Sequence, residues 1–184
     1  MLTLYIILGV IVIIALWLVL AYNGLVRLSQ QVLEAASDID VQLKRRFDLI
    51  PNLMESVKGY MAHERQTLER VTEARTRFMS AKSTKEQLAA DNMLSNTLKT
   101  LFAVSENYPD LKANANFLDL QRELADTENK IQAARRFYNA NVRDLNIATQ
   151  QFPTNVIART FGFREMEFFE AEGPEEREPV RVRF

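Results

Sequence analysis

The single histidine, His63, is the first residue to consider for chemistry, because imidazole serves both as a general base and as a metal ligand. The chain has no cysteine and no second histidine, whereas a protein zinc site draws on three or four side-chain ligands. Glu64 follows His63, but the His-Glu-x-x-His spacing of zinc proteases is absent. No local pattern pairs the imidazole with a serine nucleophile. We interpret His63 as structural and expect no metal and no other cofactor.

Phosphate-binding loops and paired carboxylates are not indicated either. The five glycines are scattered at positions 9, 24, 59, 162 and 173, whereas phosphate loops need them clustered. Asp38 and Asp40 are two residues apart, so they point to different faces of a helix. The 23 Lys and Arg against 24 Asp and Glu leave a net charge of −1, which provides no overall attraction to nucleic acid. The sequence therefore predicts a protein that is not an enzyme and does not bind nucleic acid.

Three consecutive cations, Lys44, Arg45 and Arg46, form a basic cluster suited to anionic headgroups or to an acidic partner. About twenty residues of helix, roughly 30 Å, separate it from the apolar N-terminal segment. We therefore favour a solvated or ion-paired face over a partner site. Arg46 differs, because it shares the heptad register of Ile39 and Leu53 and is predicted to point partly inward. Its candidate partners are Asp48, Asp144 or a helix terminus.

Five asparagines crowd one predicted helix, at positions 114, 116, 139, 141 and 146. Asn141 lies on the row beside the apolar heptad. A buried asparagine in a helical seam sets register at a cost in stability. We favour that interpretation of Asn141 over a ligand site.

Aromatic residues concentrate near the C-terminal end of the helical region. Five phenylalanines surround Pro153 and Gly162 within eighteen residues. They either cap the bundle end as core, which we favour, or form an exposed docking patch. The five are Phe152, Phe161, Phe163, Phe168 and Phe169, and the last two are retained as candidate interaction positions.

An apolar segment near the N-terminus precedes all of these residues. Residues 2–22 carry no charge, and 14 of the 19 positions from 2 to 20 are Leu, Ile or Val. As a helix, this run would reach about 31 Å, the thickness of a hydrocarbon core. A cleaved signal peptide would have a basic start and a small-residue cleavage site, so we predict an uncleaved single-pass anchor over residues 1–22 in a cell membrane. Cations that follow it, Arg27 and the basic cluster, favour a cytoplasmic position for the rest of the chain.

Apolar residues recur at three- and four-residue steps from 25 to 50, which predicts an amphipathic helix continuous with the anchor. Pro51 then marks either a corner between two helices or a kink in one long helix. A capping box at Ser83 and Glu86 predicts a helix over residues 84–104, and residues 107–110 read as a turn. A seven-residue repeat predicts a long helix that Pro153 ends. The repeat comprises Phe117, Leu124, Ile131, Tyr138, Leu145 and Phe152.

A short helix is predicted over residues 154–161. The last twenty residues carry seven Glu and three Arg, a local charge of 3 − 7 = −4. We therefore predict an all-α chain: a transmembrane helix, then an elongated antiparallel bundle of about four helices over residues 23–161, and an acidic tail over residues 162–184.

Several stretches resemble the LemA family. Tyr22-Asn23 follows the anchor, residues 40–53 read DVQLKRRFDLIPNL, residues 136–139 read RFYN, and the Phe152-Pro153 break comes next. The resemblance extends to about Phe169, and the last fifteen residues depart from it. It implies a bacterial single-pass membrane protein whose soluble part is an antiparallel helical bundle, without an agreed enzymatic activity. Some members are encoded near membrane zinc proteases, which implies an association with the envelope.

These observations predict a non-enzymatic, membrane-anchored scaffold or adaptor that acts through helical surfaces. Its expected partners are the lipid bilayer, envelope proteins such as a membrane protease, and further copies of itself. Two alternatives stay open: an accessory subunit of a membrane enzyme or protease, and a bundle that senses a ligand in a cavity between helices.

Overall fold

The computed structural model of the chain describes residues 1–81 and 84–169. Ser83 of the predicted capping box and residues 170–184 of the predicted acidic tail lie outside the described residues. Six helices occur within the described part. They are α1 (Leu2–Lys58), α2 (Arg65–Ser80), α3 (Thr84–Ser105), α4 (Pro109–Lys112), α5 (Ala115–Gln150) and α6 (Thr154–Phe161). The predicted all-α fold, with an apolar N-terminal helix followed by a helical bundle, is confirmed.

Helix α1 contains the apolar segment and continues far beyond it. The side chains of residues 2–20 are exposed to the surroundings, and the segment is long and apolar enough to cross a membrane. Pro51 lies inside the helix, although it has no N–H to donate to the preceding turn. The structure therefore has one long helix at this point and not a corner between two helices.

The chain divides into two compact units. Among the described residues, unit 1 comprises residues 1–38 and 133–169, and unit 2 comprises residues 39–81 and 84–132. The core of unit 1 forms where α1 leaves the apolar segment and meets the end of α5, with α6 packed against both. Its buried residues are Leu25, Val32, Val142, Leu145, Ile157 and Ala158.

Unit 2 contains α1 from Ile39 onward, helices α2, α3 and α4, and the first part of α5. The buried stripe of α1 follows the predicted three- and four-residue steps, because one face of a helix recurs at that period. The stripe comprises Ile39, Leu43, Arg46, Phe47, Ile50, Leu53 and Val57. The rings of Phe47 and Phe78 stack at 3.7 Å between centroids, and those of Phe102 and Phe117 meet edge to face at 6.1 Å.

Two details of the predicted long helix need correction. Tyr138 is only half-buried, and Phe152 is 78% exposed although it continues the heptad count. Helix α5 ends at Gln150, so the helical period no longer places Phe152 on the buried face. The turn predicted at residues 107–110 also contains the start of α4, with Pro109 at its first position, where a missing N–H costs nothing.

Candidate functional site

A charged cluster is buried in the core of unit 2. Arg46 of α1 donates from Nη1 to Asp91 Oδ1 of α3 at 2.9 Å, and the same nitrogen lies 2.5 Å from Glu128 Oε2 of α5. The side chains of Arg46 and Asp91 are 3% and 2% exposed, and that of Glu128 is 32% exposed. Ser95 Oγ donates to Glu128 Oε2 at 3.2 Å. One guanidinium therefore joins three helices.

The inward orientation predicted for Arg46 is confirmed, but its predicted partners are wrong. Arg46 follows Leu43 by three residues, so the buried face of α1 carries it inward. Asp48 is exposed on another face of that helix, and Asp144 is exposed in unit 1, where it pairs with Arg143. The actual partner Asp91 is 45 residues away in the sequence, a distance that no local pattern covers.

The chemistry of this cluster is that of a structural clamp. An arginine stays protonated in proteins and cannot serve as a general acid or base. The guanidinium binds both carboxylates, and its charge offsets the cost of burying Asp91. The cluster can therefore specify which faces of α1, α3 and α5 meet.

The other two cations of the basic cluster lie on the surface. Lys44 and Arg45 are exposed, and Arg45 Nη2 donates to Glu123 Oε1 at 2.8 Å. The hydrogen bond with the Glu123 carboxylate raises the pKa of Arg45, against a partial opposing effect of desolvation. The solvated, ion-paired face favoured from the sequence describes Arg45, whereas Arg46 belongs to the core.

In unit 1, asparagine side chains of α5 bind another segment of the chain, but Asn141 is not one of them. Asn141 is half-buried, and its amide donates to the Phe137 carbonyl of its own helix at 3.1 Å. The predicted role in a helical seam is therefore wrong. Asn139 and Asn146 instead reach another part of the chain, the docked segment, which we define as residues 163–169.

Each of these two asparagines binds one backbone residue of the docked segment in both directions. Asn146 Nδ2 donates to the Met166 carbonyl at 2.9 Å, and Asn146 Oδ1 accepts from the Met166 N–H at 2.9 Å. Asn139 makes the same pair with Phe169, at 2.9 and 2.8 Å. Seven residues of helix rise about 10.5 Å, and three residues of extended chain cover about 10 Å. The two spacings match, so an asparagine ladder on α5 holds the segment by its backbone.

Tyr138 adds a third contact to the docked segment. Its hydroxyl donates to the Glu167 carbonyl at 3.2 Å, and its ring meets that of Phe169 edge to face at 4.5 Å. Burial, and secondarily the negative charge of Glu167, raise the pKa of the Tyr138 phenol. The spacing of Asn139 and Asn146 by one heptad is the sequence signal that could have indicated this binding row.

The phenylalanine cluster does not form a core cap as favoured from the sequence. Phe152, Phe161 and Phe168 are exposed. Phe163 is half-buried against the core of unit 1, and Phe169 is half-buried beside Tyr138. The five rings therefore do not form one cluster, and of the two retained positions only Phe169 is held by the ladder.

A groove of about 650 Å³ runs between the C-terminal end of α1 and α2 in unit 2. Two half-buried apolar side chains, Met54 and Leu68, lie in it. The other lining residues are Glu55, Lys58, Glu69 and Thr72. His63 is exposed, and the described residues contain no group of three or more His, Cys, Asp or Glu placed to hold a metal ion.

The chain has an apolar helical segment long enough to cross a membrane, followed by packed helices. The polar residues described above join parts of the fold to one another. This arrangement defines a membrane-associated helical-bundle protein. The sequence model of the LemA family matches residues 35–184, so the chain belongs to the LemA family.

Relatives of this chain include two kinds of named protein. Protein LemA of Metamycoplasma hominis is 28% identical over 150 residues, which cover 81% of this chain and 68% of the relative. Magnetosome protein MamQ 2 of Paramagnetospirillum magneticum is 27% identical over 179 residues, covering 83% of this chain and 66% of the relative. Magnetosome protein MamQ of Magnetospirillum gryphiswaldense is 23% identical over 178 residues, with 83% and 65% covered. The chain thus spans about two thirds of the length of these curated relatives.

Proposed function

We propose that the protein is a non-catalytic scaffold or adaptor, anchored in the membrane, that binds an envelope protein or a second copy of itself through the helical surface of unit 2. The observation that carries this proposal is the groove between α1 and α2. Its walls are helices, its floor is apolar and its rim is charged, which is the arrangement that an amphipathic partner helix fits.

The groove lining favours binding over catalysis. Its six residues include no histidine, and its single hydroxyl, Thr72 Oγ1, donates to the Leu68 carbonyl of its own helix at 3.1 Å. A hydrolytic site would instead bring a nucleophile, a base and an oxyanion donor together. Two carboxylates and one ammonium at the rim favour a partner helix with a basic edge, since complementary charge guides association.

A photo-crosslinking residue at Thr72 tests the binding role in native membranes. We expect discrete covalent adducts from Thr72, identified by mass spectrometry, and their loss when Met54→Glu places a charge in the groove. Thr100 on α3 is the matched control, because it is also an exposed threonine bonded to a carbonyl one turn earlier. A co-expressed tagged copy separates self-association from binding to another protein. Equal adducts at both positions, or none at Thr72, would contradict the proposal.

For the side of the membrane, we propose the cytoplasmic face, supported by Arg27 and the basic cluster that follow the span. The chain has no cysteine, so His63→Cys introduces a unique, exposed thiol. A membrane-impermeant maleimide should label it only after the cells are lysed. Labelling in intact spheroplasts would place the bundle on the other side.

A further inference from the structure

The apolar run of α1 defines where the membrane surface meets unit 1. Residues 2–22 carry no charge, and Arg27 is the first charged side chain of the chain. About twenty helical residues cross the hydrocarbon core, and a headgroup region of about 5 to 7 Å lies on each side of it. Tyr22, at the end of the run, therefore lies at the level where aromatic rings prefer to sit.

Helix α6 brings a second aromatic ring to this level. The rings of Phe161 and Tyr22 meet edge to face at 4.9 Å between centroids. Gly162 then ends the helix with a φ of 78°, a left-handed conformation that glycine adopts without strain. The turn returns the chain so that Phe163 also meets Tyr22, at 5.8 Å. The ring contact of 4.9 Å is shorter than the headgroup region is thick, so Phe161 lies within one headgroup thickness of Tyr22.

The exposure of Phe161 is unexpected for its position on the helix. It follows Ile157 by four residues and Ala158 by three, so it lies on the same face of α6 as these two buried side chains. Phe161 is nevertheless 62% exposed. Ile157 and Ala158 belong to the core cluster that contains Leu25, whereas Phe161 reaches Tyr22, almost one turn nearer the span. The buried face of α6 thus extends beyond the protein core on the membrane side.

Charges around Phe161 suit a headgroup layer. Arg159 and Arg164 flank the end of α6 and are exposed, and Glu165 is the acidic residue nearest to it in sequence. Guanidinium groups bind phosphate while their stems stay on apolar surface. We propose that the C-terminal end of α6 is a second membrane contact, in which Phe161 inserts into the bilayer interface beside Tyr22. This contact does not depend on what the groove of unit 2 binds.

Depth-dependent fluorescence quenching of the full chain in lipid vesicles tests this contact. Trp17 is the single tryptophan, so Trp17→Phe combined with Phe161→Trp leaves one probe at the position in question. Phe152→Trp in the same background is the matched control, because Phe152 is also exposed but lies at the opposite end of α6. Tyr22→Trp serves as the interfacial reference.

We expect headgroup-labelled quencher lipids to quench the probe at position 161 about as strongly as the probe at position 22. Quenching should be several-fold stronger than for the probe at position 152. Equal quenching at positions 161 and 152 would overturn the proposal. Blue-shifted emission from position 161 without lipid quenching would also overturn it, because a protein contact would then cover the ring. Circular dichroism of each variant verifies that its helices are retained.

Discussion

Unit 1 and unit 2 each join elements that are distant in the sequence, but they do so with different polar groups. Unit 1 holds residues 163–169 through neutral asparagine amides that bind only backbone atoms. Unit 2 joins three helices through a buried arginine that binds two carboxylate side chains. Backbone recognition tolerates almost any sequence in the segment held, whereas charge recognition requires complementary residues on each helix. Neutral amides also cost far less to bury than charges.

Removal of the buried charge should have the largest effect. Arg46→Ala removes the guanidinium that binds Asp91 and Glu128, and breaking a buried pair by removing one partner typically costs about 3 to 5 kcal/mol. We expect a fall of that size in the free energy of unfolding, measured by urea titration with circular dichroism. In the triple variant Arg46→Met, Asp91→Leu, Glu128→Leu the guanidinium is removed together with both carboxylates that it binds, so most of the stability should return. A loss below 1 kcal/mol for Arg46→Ala would show that the cluster is not desolvated.

The asparagine ladder should produce a smaller and local effect. Asn146→Leu removes both hydrogen bonds to Met166, which we expect to weaken the docking of residues 163–169 by about 1 to 3 kcal/mol. Hydrogen exchange of the Met166 amide should accelerate, while amides of unit 2 stay unchanged. Asn141→Leu is the matched control, because its amide bonds only to its own helix. Equal acceleration in both variants would contradict the ladder.

Alkaline pH should weaken the same docking through Tyr138. Its pKa is raised in the folded state, so the unfolded chain, with a tyrosine pKa of about 10, loses this proton first as the pH rises. The contribution of Tyr138 is therefore complete below about pH 10 and declines above it. A tyrosinate absorbance titration of the wild type minus Tyr138→Phe should show one group that titrates above about 10. A difference curve centred at or below the ordinary value would disprove the shift.

Arg45 should show the smallest effect, although it is adjacent to Arg46. Its pair with Glu123 is exposed on both sides, and pairs on the surface contribute little because water and salt screen them. Arg45→Ala should leave the free energy of unfolding close to that of the wild type, and added salt should make the remaining difference smaller. A loss as large as that of Arg46→Ala would remove the contrast between surface and core.

The positions of α3 and α6 followed from local patterns, whereas the break between α1 and α2 and the short helix α4 were not predicted. The predicted short helix at residues 154–161 matches α6, and the helix predicted over residues 84–104 ends one residue before α3 does. Most of the α1 stripe and the heptad residues from Phe117 to Ile131 are buried as predicted. These features depend on hydrophobic period and on proline, which act over a few residues along the chain.

Tertiary structure decided the partners and the exposure of individual side chains. The heptad register predicted that Arg46 points inward. It did not predict Asp91 and Glu128 as its partners, because that pairing depends on how α3 and α5 pack against α1. Asn139 and Asn146 bind a segment with no sequence complementarity to them, since amides recognise any backbone. Phe161 lies on the apolar face of α6, yet it is exposed because the core ends before the helix does. Periodicity reports which face of a helix is apolar, whereas only the packed structure determines where along that face its neighbours stop.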